Sequence, residues 1–165
     1  MADKTPKCEL DGSKWNVQYQ KGNSSIVVEA QNNKETVNIF SCEDSVVQVK
    51  GKVTNILVNG CTKVGVVFED VISQVEVVRG KKIQVQATGS VPTIQVDKSE
   101  GVTLYLTTAN KAAVSIITSL SSEINVVTPG ASESDDPKEQ ALPQQFVSTF
   151  SGDKLVTVPA EHVGV

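Results

Sequence analysis

Residues 75–104 read Val75-Glu76-Val77-Val78-Arg79-Gly80-Lys81-Lys82-Ile83-Gln84-Val85-Gln86-Ala87-Thr88-Gly89-Ser90-Val91-Pro92-Thr93-Ile94-Gln95-Val96-Asp97-Lys98-Ser99-Glu100-Gly101-Val102-Thr103-Leu104. Four apolar–x–apolar triplets sit in this stretch, at 75, 83, 94 and 102. Each has the period-2 alternation of a strand with one face buried. Neighbours are unevenly spaced, yet alternate triplets are 19 residues apart. Two interleaved series with one period describe a coil that lays down two strands per turn.

The pattern extends in both directions. One series is Val37-Asn38-Ile39, Ile56-Leu57-Val58, Val75-Glu76-Val77, Ile94-Gln95-Val96 and Val114-Ser115-Ile116, stepping by 19, 19, 19 and 20. The other is Val47-Gln48-Val49, Val64-Gly65-Val66, Ile83-Gln84-Val85, Val102-Thr103-Leu104 and Ile124-Asn125-Val126, stepping by 17, 19, 19 and 22. A meander would space its strands similarly, but it does not demand regularity at every second strand. It would also favour tight Asn-Gly or Asp-Gly hairpins, and only Asn59-Gly60 fits that pattern within the series. The expected fold is all-β: a parallel β-helix of four to five turns, about 20–25 Å tall. First and third triplet residues point inward, and the middle residues form two outer faces. One face carries Asn38, Leu57, Glu76, Gln95 and Ser115; the other carries Gln48, Gly65, Gln84, Thr103 and Asn125.

Composition agrees. The chain has 165 residues, one Trp, two Tyr and four Phe, and is rich in valine. β-Branched residues fill a narrow pleated core well. The expected organisation is a flexible leader over 1–13, the β-helix over 14–128, an acidic loop over 129–143, a C-terminal hairpin over 144–158 and a tail over 159–165. Trp15, Val17 and Tyr19, then Ile26 and Val28, supply the first turn. Phe146, Val147 and Phe150, then Leu155, Val156 and Val158, flank Ser151-Gly152-Asp153 as a hairpin does. Such a hairpin covers a raw strand edge, of its own chain or of a partner.

Charge and residue supply exclude several functions. Net charge is −4, and Arg79 is the only arginine, which disfavours nucleic-acid binding. No apolar stretch reaches membrane-spanning length, so neither a membrane span nor secretion is expected. His162 is the single histidine, and Cys8, Cys42 and Cys61 are the only cysteines. A histidine cluster or a four-thiolate zinc site is therefore out of reach for one chain, and no metal or cofactor is expected. Cys42 and Cys61 follow strands one turn apart and read as stacked small residues. Glu69-Asp70 point to opposite sides of a strand, so no catalytic residues are assigned. Lys50, Lys52, Lys63, Arg79, Lys81 and Lys82 fall near turns and form a cationic rim suited to an acidic partner.

Several runs carry a family resemblance: Val49-Lys50-Gly51-Lys52, Lys63-Val64-Gly65-Val66-Val67-Phe68-Glu69-Asp70-Val71, Gly89-Ser90-Val91-Pro92-Thr93-Ile94, Ser121-Ser122-Glu123-Ile124-Asn125-Val126, Gln145-Phe146 and Gly152-Asp153-Lys154-Leu155-Val156-Thr157. From Lys14 onward the chain resembles the C-terminal domain of cyclase-associated protein; the ending Pro159-Ala160-Glu161-His162-Val163-Gly164-Val165 departs from the usual one. The resemblance implies a right-handed coil and a homodimer that exchanges hairpins, placing Phe146, Val147, Phe150, Leu155, Val156 and Val158 at the dimer contact. It implies a non-enzymatic, cytoplasmic, cytoskeleton-associated protein that binds monomeric actin, ADP-actin preferred, and promotes exchange of ADP for ATP. Residues assigned to the actin face are Gln48, Lys50, Lys52, Val67, Gln84, Gln86, Tyr105 and Asn125. Two alternatives differ in class. A polysaccharide-cleaving β-helix would need clustered carboxylates or arginines. A GTPase-activating module of the tubulin-cofactor-C type would need Arg79 as its finger, without that family's flanking Gln.

Overall fold

The computed structural model describes residues 4–160. β1 (Lys7–Asp11) and β2 (Lys14–Gln18) form an antiparallel hairpin whose turn holds Gly12 at φ +62°. The chain then coils through β3 (Ile26–Glu29), β4 (Thr36–Phe40), β5 (Glu43–Lys50), β6 (Val53–Asn59), β7 (Thr62–Phe68) and β8 (Val71–Val78). It continues through β9 (Lys81–Ala87), β10 (Thr93–Asp97) and β11 (Glu100–Tyr105) to the single helical turn α1 (Thr108–Lys111). β12 (Ser115–Ser119), β13 (Ser122–Thr128), β14 (Lys138–Ala141), β15 (Phe146–Ser151) and β16 (Lys154–Pro159) follow.

Even strands from β2 to β12 stack in parallel as one sheet, and odd strands from β3 to β13 as the other. The fold is the expected right-handed parallel β-helix with two strands per turn, ending in a C-terminal hairpin. Between the sheets run columns of like residues. Val17, Ile39, Val58, Val77 and Val96 make one; Ile26, Val47, Val66, Val85 and Leu104 make another. All ten are buried. Side chains of this size contribute about 1.5–3 kcal/mol each when removed from water, so the columns drive the coiling.

Two registers differ from those expected. β5 pairs Ser45 with Val64 and Val47 with Val66; the repeat there is 19 residues, not 17. Ser45 points inward although polar, because its Oγ donates to Glu43 O at 2.8 Å and accepts from Asn23 N at 3.2 Å. An apolar template skips such a residue. Gln48 consequently stacks on Val67 rather than beside Gly65. At the other end Ile94 pairs with Ile116 and Gln95 with Ile117, so Ser115 leaves the column assigned to it. The turn before β12 is longer because α1 is inserted. Thr107 and Asn110 cap α1 reciprocally, and Asn110 Nδ2 donates to Ala87 O and Gly89 O at 2.9 and 3.0 Å, which ties the insert to the turn below.

The ends also differ. Lys7–Asp11, expected as part of a flexible leader, is β1 and covers the edge of β2. Its mostly polar, exposed sequence needs a hairpin partner to become a strand. Within the expected acidic loop, Lys138–Ala141 is β14, antiparallel on β13. Residues 129–137 remain a loop, with Ser132 N and Oγ donating to Asp135 Oδ2 at 3.1 and 3.0 Å. β15 and β16 pair only with each other, so the hairpin does not cap its own coil. His162 and the rest of the expected tail beyond Ala160 lie outside the described residues, as do residues 1–3.

Every passage from the even to the odd sheet is a four-residue corner; the first, between β2 and β3, runs from Tyr19 to Gly22, both left-handed, with Gln20 second. In the five that follow, the first and last residues are left-handed at Ser41 and Asp44, Gly60 and Lys63, Arg79 and Lys82, Lys98 and Gly101, and Leu120 and Glu123. The second corner residue, at positions 42, 61, 80, 99 and 121, is small: Cys42, Cys61, Gly80, Ser99 and Ser121. Side chains there accept the backbone N–H of the turn before. Cys42 N donates to Cys61 Sγ (3.4 Å), Gly80 N to Ser99 Oγ (3.0 Å) and Ser99 N to Ser121 Oγ (3.1 Å). The ladder satisfies N–H groups that the bend removes from the sheets.

Candidate functional site

The outer face of the odd sheet carries two outward-facing columns, partly exposed and partly half-buried. Val27, Gln48, Val67, Gln86, Tyr105 and Val127 form one. Val46, Gly65, Gln84, Thr103 and Asn125 form the other. Seven of the eight residues assigned from sequence share this face: Gln48, Val67, Gln86 and Tyr105 in the first column, Gln84 and Asn125 in the second, and Lys50 opposite Glu29. Lys52 does not join them. It lies past the end of β5, in the turn to β6.

Sequence reasoning left Gly65 out of the site. Val46, Val67, Gln84, Gln86, Tyr105 and Gly65 surround a hollow of about 370 Å³. It continues into a second hollow beside Lys63 and Lys82 and a third beside Thr103, Glu123 and Asn125. Together they make one groove across the sheet. A Cβ at Gly65 would meet only the Val46 methyl carbons, at 3.8 and 4.0 Å, which is ordinary contact. The fold does not require glycine here; glycine keeps the groove open. A glycine in mid-strand is the sequence signal that marks such a place.

Around Gly65 the groove mixes valine and tyrosine with amides and no charged residue, the character of an interface core; Asp44, Lys63, Lys82 and Glu123 line its two extensions. Glu69 and Asp70, the nearest thing to a carboxylate pair, are occupied by backbone. Gly51 N donates to Glu69 Oε2 at 2.7 Å, and Ser90 N donates to Asp70 Oδ1 at 2.8 Å. They staple one turn to the turns below and above. Arg79 stands on a corner, exposed, away from this groove. Among the described residues no group of three or more His, Cys, Asp or Glu is placed to hold a metal.

Cys42 and Cys61 are fully buried. Both thiols donate to backbone carbonyls, Cys42 Sγ to Val17 O and Phe40 O, and Cys61 Sγ to Ile39 O and Asn59 O. The two side chains are coupled: the Cys61 thiol is pushed up by the neighbouring Cys42 side chain and by burial, and the Cys42 thiol is lowered by the Cys61 side chain.

The hairpin residues expected at a dimer contact divide between two faces. Phe146, Phe150 and Leu155 lie on one, and Val147, Val156 and Val158 on the other. All six are exposed, Phe150 at 72%.

Comparison with known proteins places these features. The sequence model of the family described as adenylate cyclase associated (CAP) C terminal matches residues 4–162. The chain is 43% identical over 154 residues to the adenylyl cyclase-associated protein of Dictyostelium discoideum, covering 93% of this chain and 33% of that one. It is 45% identical over 160 residues to cyclase-associated protein 1 of Arabidopsis thaliana, covering 96% and 33%. The chain thus spans about a third of the length of these curated relatives. The crystal structure of cyclase-associated protein from Cryptosporidium parvum superposes with a TM-score of 0.88 at 32% identity, over 97% of this chain and 98% of that chain.

Proposed function

Because the chain belongs to the family of cyclase-associated protein C-terminal domains, we propose that it binds monomeric actin and promotes exchange of ADP for ATP on it. This makes it a non-enzymatic, cytoplasmic protein working with the cytoskeleton. Among the described residues no helix is long and apolar enough to cross a membrane. The observation that carries the reading is the groove on the odd sheet, held open by Gly65 and walled by Val67, Gln84, Gln86 and Tyr105. It offers a rigid, mixed apolar and amide surface to a protein partner.

Exchange needs no bond to be broken. A module that binds better to actin with an open nucleotide cleft shifts the monomer toward that state by the difference in affinity. The test is release of a fluorescent nucleotide from ADP-actin. Acceleration that saturates with added protein is expected; an unchanged release rate at saturation would sink the claim.

The same reading includes a dimer formed through the hairpins. Two-stranded hairpins are marginal alone, and this one exposes apolar side chains on both faces. β12 leaves an unpaired edge at the end of the even sheet, beside Ile117 and Leu120, exposed at 49% and 80%. A second copy's hairpin fits that edge, which otherwise stands open to any strand.

A further inference from the structure

Positive charge concentrates on three consecutive corners between β6 and β11. They hold Lys63, then Arg79, Lys81 and Lys82, then Lys98 with Glu100. All five cations are exposed. Four of them, Lys63, Arg79, Lys82 and Lys98, occupy left-handed backbone with φ of 49° to 55°. Glycine fits those places without cost, and the same corners use it at Gly60 and Gly101. Lysine and arginine there accept local strain.

Stacking concentrates the charge. Lys63 and Lys82 are one turn apart, as are Arg79 and Lys98, and successive turns rise about 4.8 Å. The acids nearby are Glu43 and Asp44 on the corner below, Asp97 and Glu100 flanking Lys98, and Glu123 above. None reaches the five cations as an ion pair; among the described residues the single ion pair is Lys21–Glu43 at 3.9 Å. The ridge is thus a field of unpaired cations on a chain whose net charge is −4.

The ridge is also continuous with the groove. Lys63 and Lys82, with Asp44, line the groove on one side of the corner, while Arg79, Lys81 and Lys98, with Glu100, line a separate hollow of about 300 Å³ on the other. We infer that this five-cation corner is the electrostatic rim of the binding face and takes a carboxylate-rich segment of the bound monomer. The inference rests on the actin reading above. It assigns the ridge to encounter and the groove to retention, because exposed charge acts on association more than on dissociation.

Stopped-flow association with ADP-actin over a range of ionic strength tests this. Combining Arg79→Glu, Lys81→Glu and Lys98→Glu should lower kon at least about tenfold at low salt and leave koff within about twofold. The difference should vanish near 0.5 M salt, where screening is short-ranged. A change confined to koff, or a wild-type kon indifferent to salt, would overturn the assignment. The double variant Arg79→Gly with Lys98→Gly removes strain together with charge. It should raise Tm by about 2–8 °C while lowering kon; an unchanged kon overturns the proposal. An octaglutamate peptide followed by amide NMR separates the two levels. Shifts at residues 63, 79, 81, 82 and 98 without actin binding overturn the choice of partner and support the ridge. Corner amides that stay unmoved overturn the ridge itself.

Discussion

The backbone N–H of Cys42 donates to the sulfur of Cys61, one full turn further along the coil, at 3.4 Å. Both residues are fully buried. Ser99 and Ser121 stand in the same corner place two and three turns on, and receive equivalent bonds through hydroxyl oxygens. The cysteines are therefore corner acceptors.

Cys61→Ala should destabilise the protein by about 1–3 kcal/mol, since it leaves the Cys42 N–H buried and unpaired. Cys61→Ser should recover a substantial part of that loss. Urea unfolding of the two variants beside wild type measures the difference. Equal stability of the alanine and serine variants would show that the bond contributes nothing.

Three glycines should respond differently to alanine. At Gly80 a Cβ would fall 2.6 Å from Ile83 Cγ1, and at Gly89 it would fall 2.6 Å from the Glu69 carbonyl and closer still to Asp70 Oδ1. Each substitution should cost about 1–3 kcal/mol through overpacking. Gly65→Ala should fall within about 0.5 kcal/mol of wild type. Thermal unfolding reads all three, and a large loss at Gly65 would contradict an optional glycine there.

Gly65→Arg fills the groove without entering the core. Its Tm should stay within about 2 °C of wild type, and its affinity for ADP-actin should fall by at least about tenfold, about 1.4 kcal/mol. Undiminished affinity would move the binding face elsewhere.

Light scattering on the chain with and without residues 144–165 addresses the hairpin. Wild type is expected as a dimer and the truncated chain as a monomer that keeps its β-sheet circular dichroism. Phe150→Asp should shift the full chain toward monomer, because Phe150 is 72% exposed in a single copy. A monomeric wild type would rule out hairpin exchange.

Glu69→Ala should destabilise by about 0.5–1.5 kcal/mol by removing the acceptor of the Gly51 N–H at the surface. Glu69→Gln, which keeps an acceptor oxygen, should lose less. Denaturant titration distinguishes them, and equal losses would mean that the hydrogen bond is not the cause.

The triplets at 37, 56, 75 and 94, with those at 64, 83 and 102, were enough to determine a two-strand coil. Inward alternation and a shared period of 19 are local facts, and burying valine columns is the arrangement that satisfies both. Most of the candidate face was legible for the same reason: once alternation is known, Val67, Gln84, Gln86, Tyr105 and Asn125 must point outward. Tertiary structure alone decided what local pattern leaves degenerate. A strand shifted by two residues keeps its alternation, so β5 and β12 needed their neighbours to select a register. Ser45 could turn inward only because Asn23 and Glu43, distant or adjacent in the chain, supply its hydrogen bonds. β1 and β14 became strands because open edges were there to pair. The left-handed corners and the thiol–hydroxyl ladder arise from stacking residues 19 to 22 positions apart, a relation between turns that no single turn contains; the same stacking sets Lys98 beside the cations already legible at Lys63, Arg79, Lys81 and Lys82.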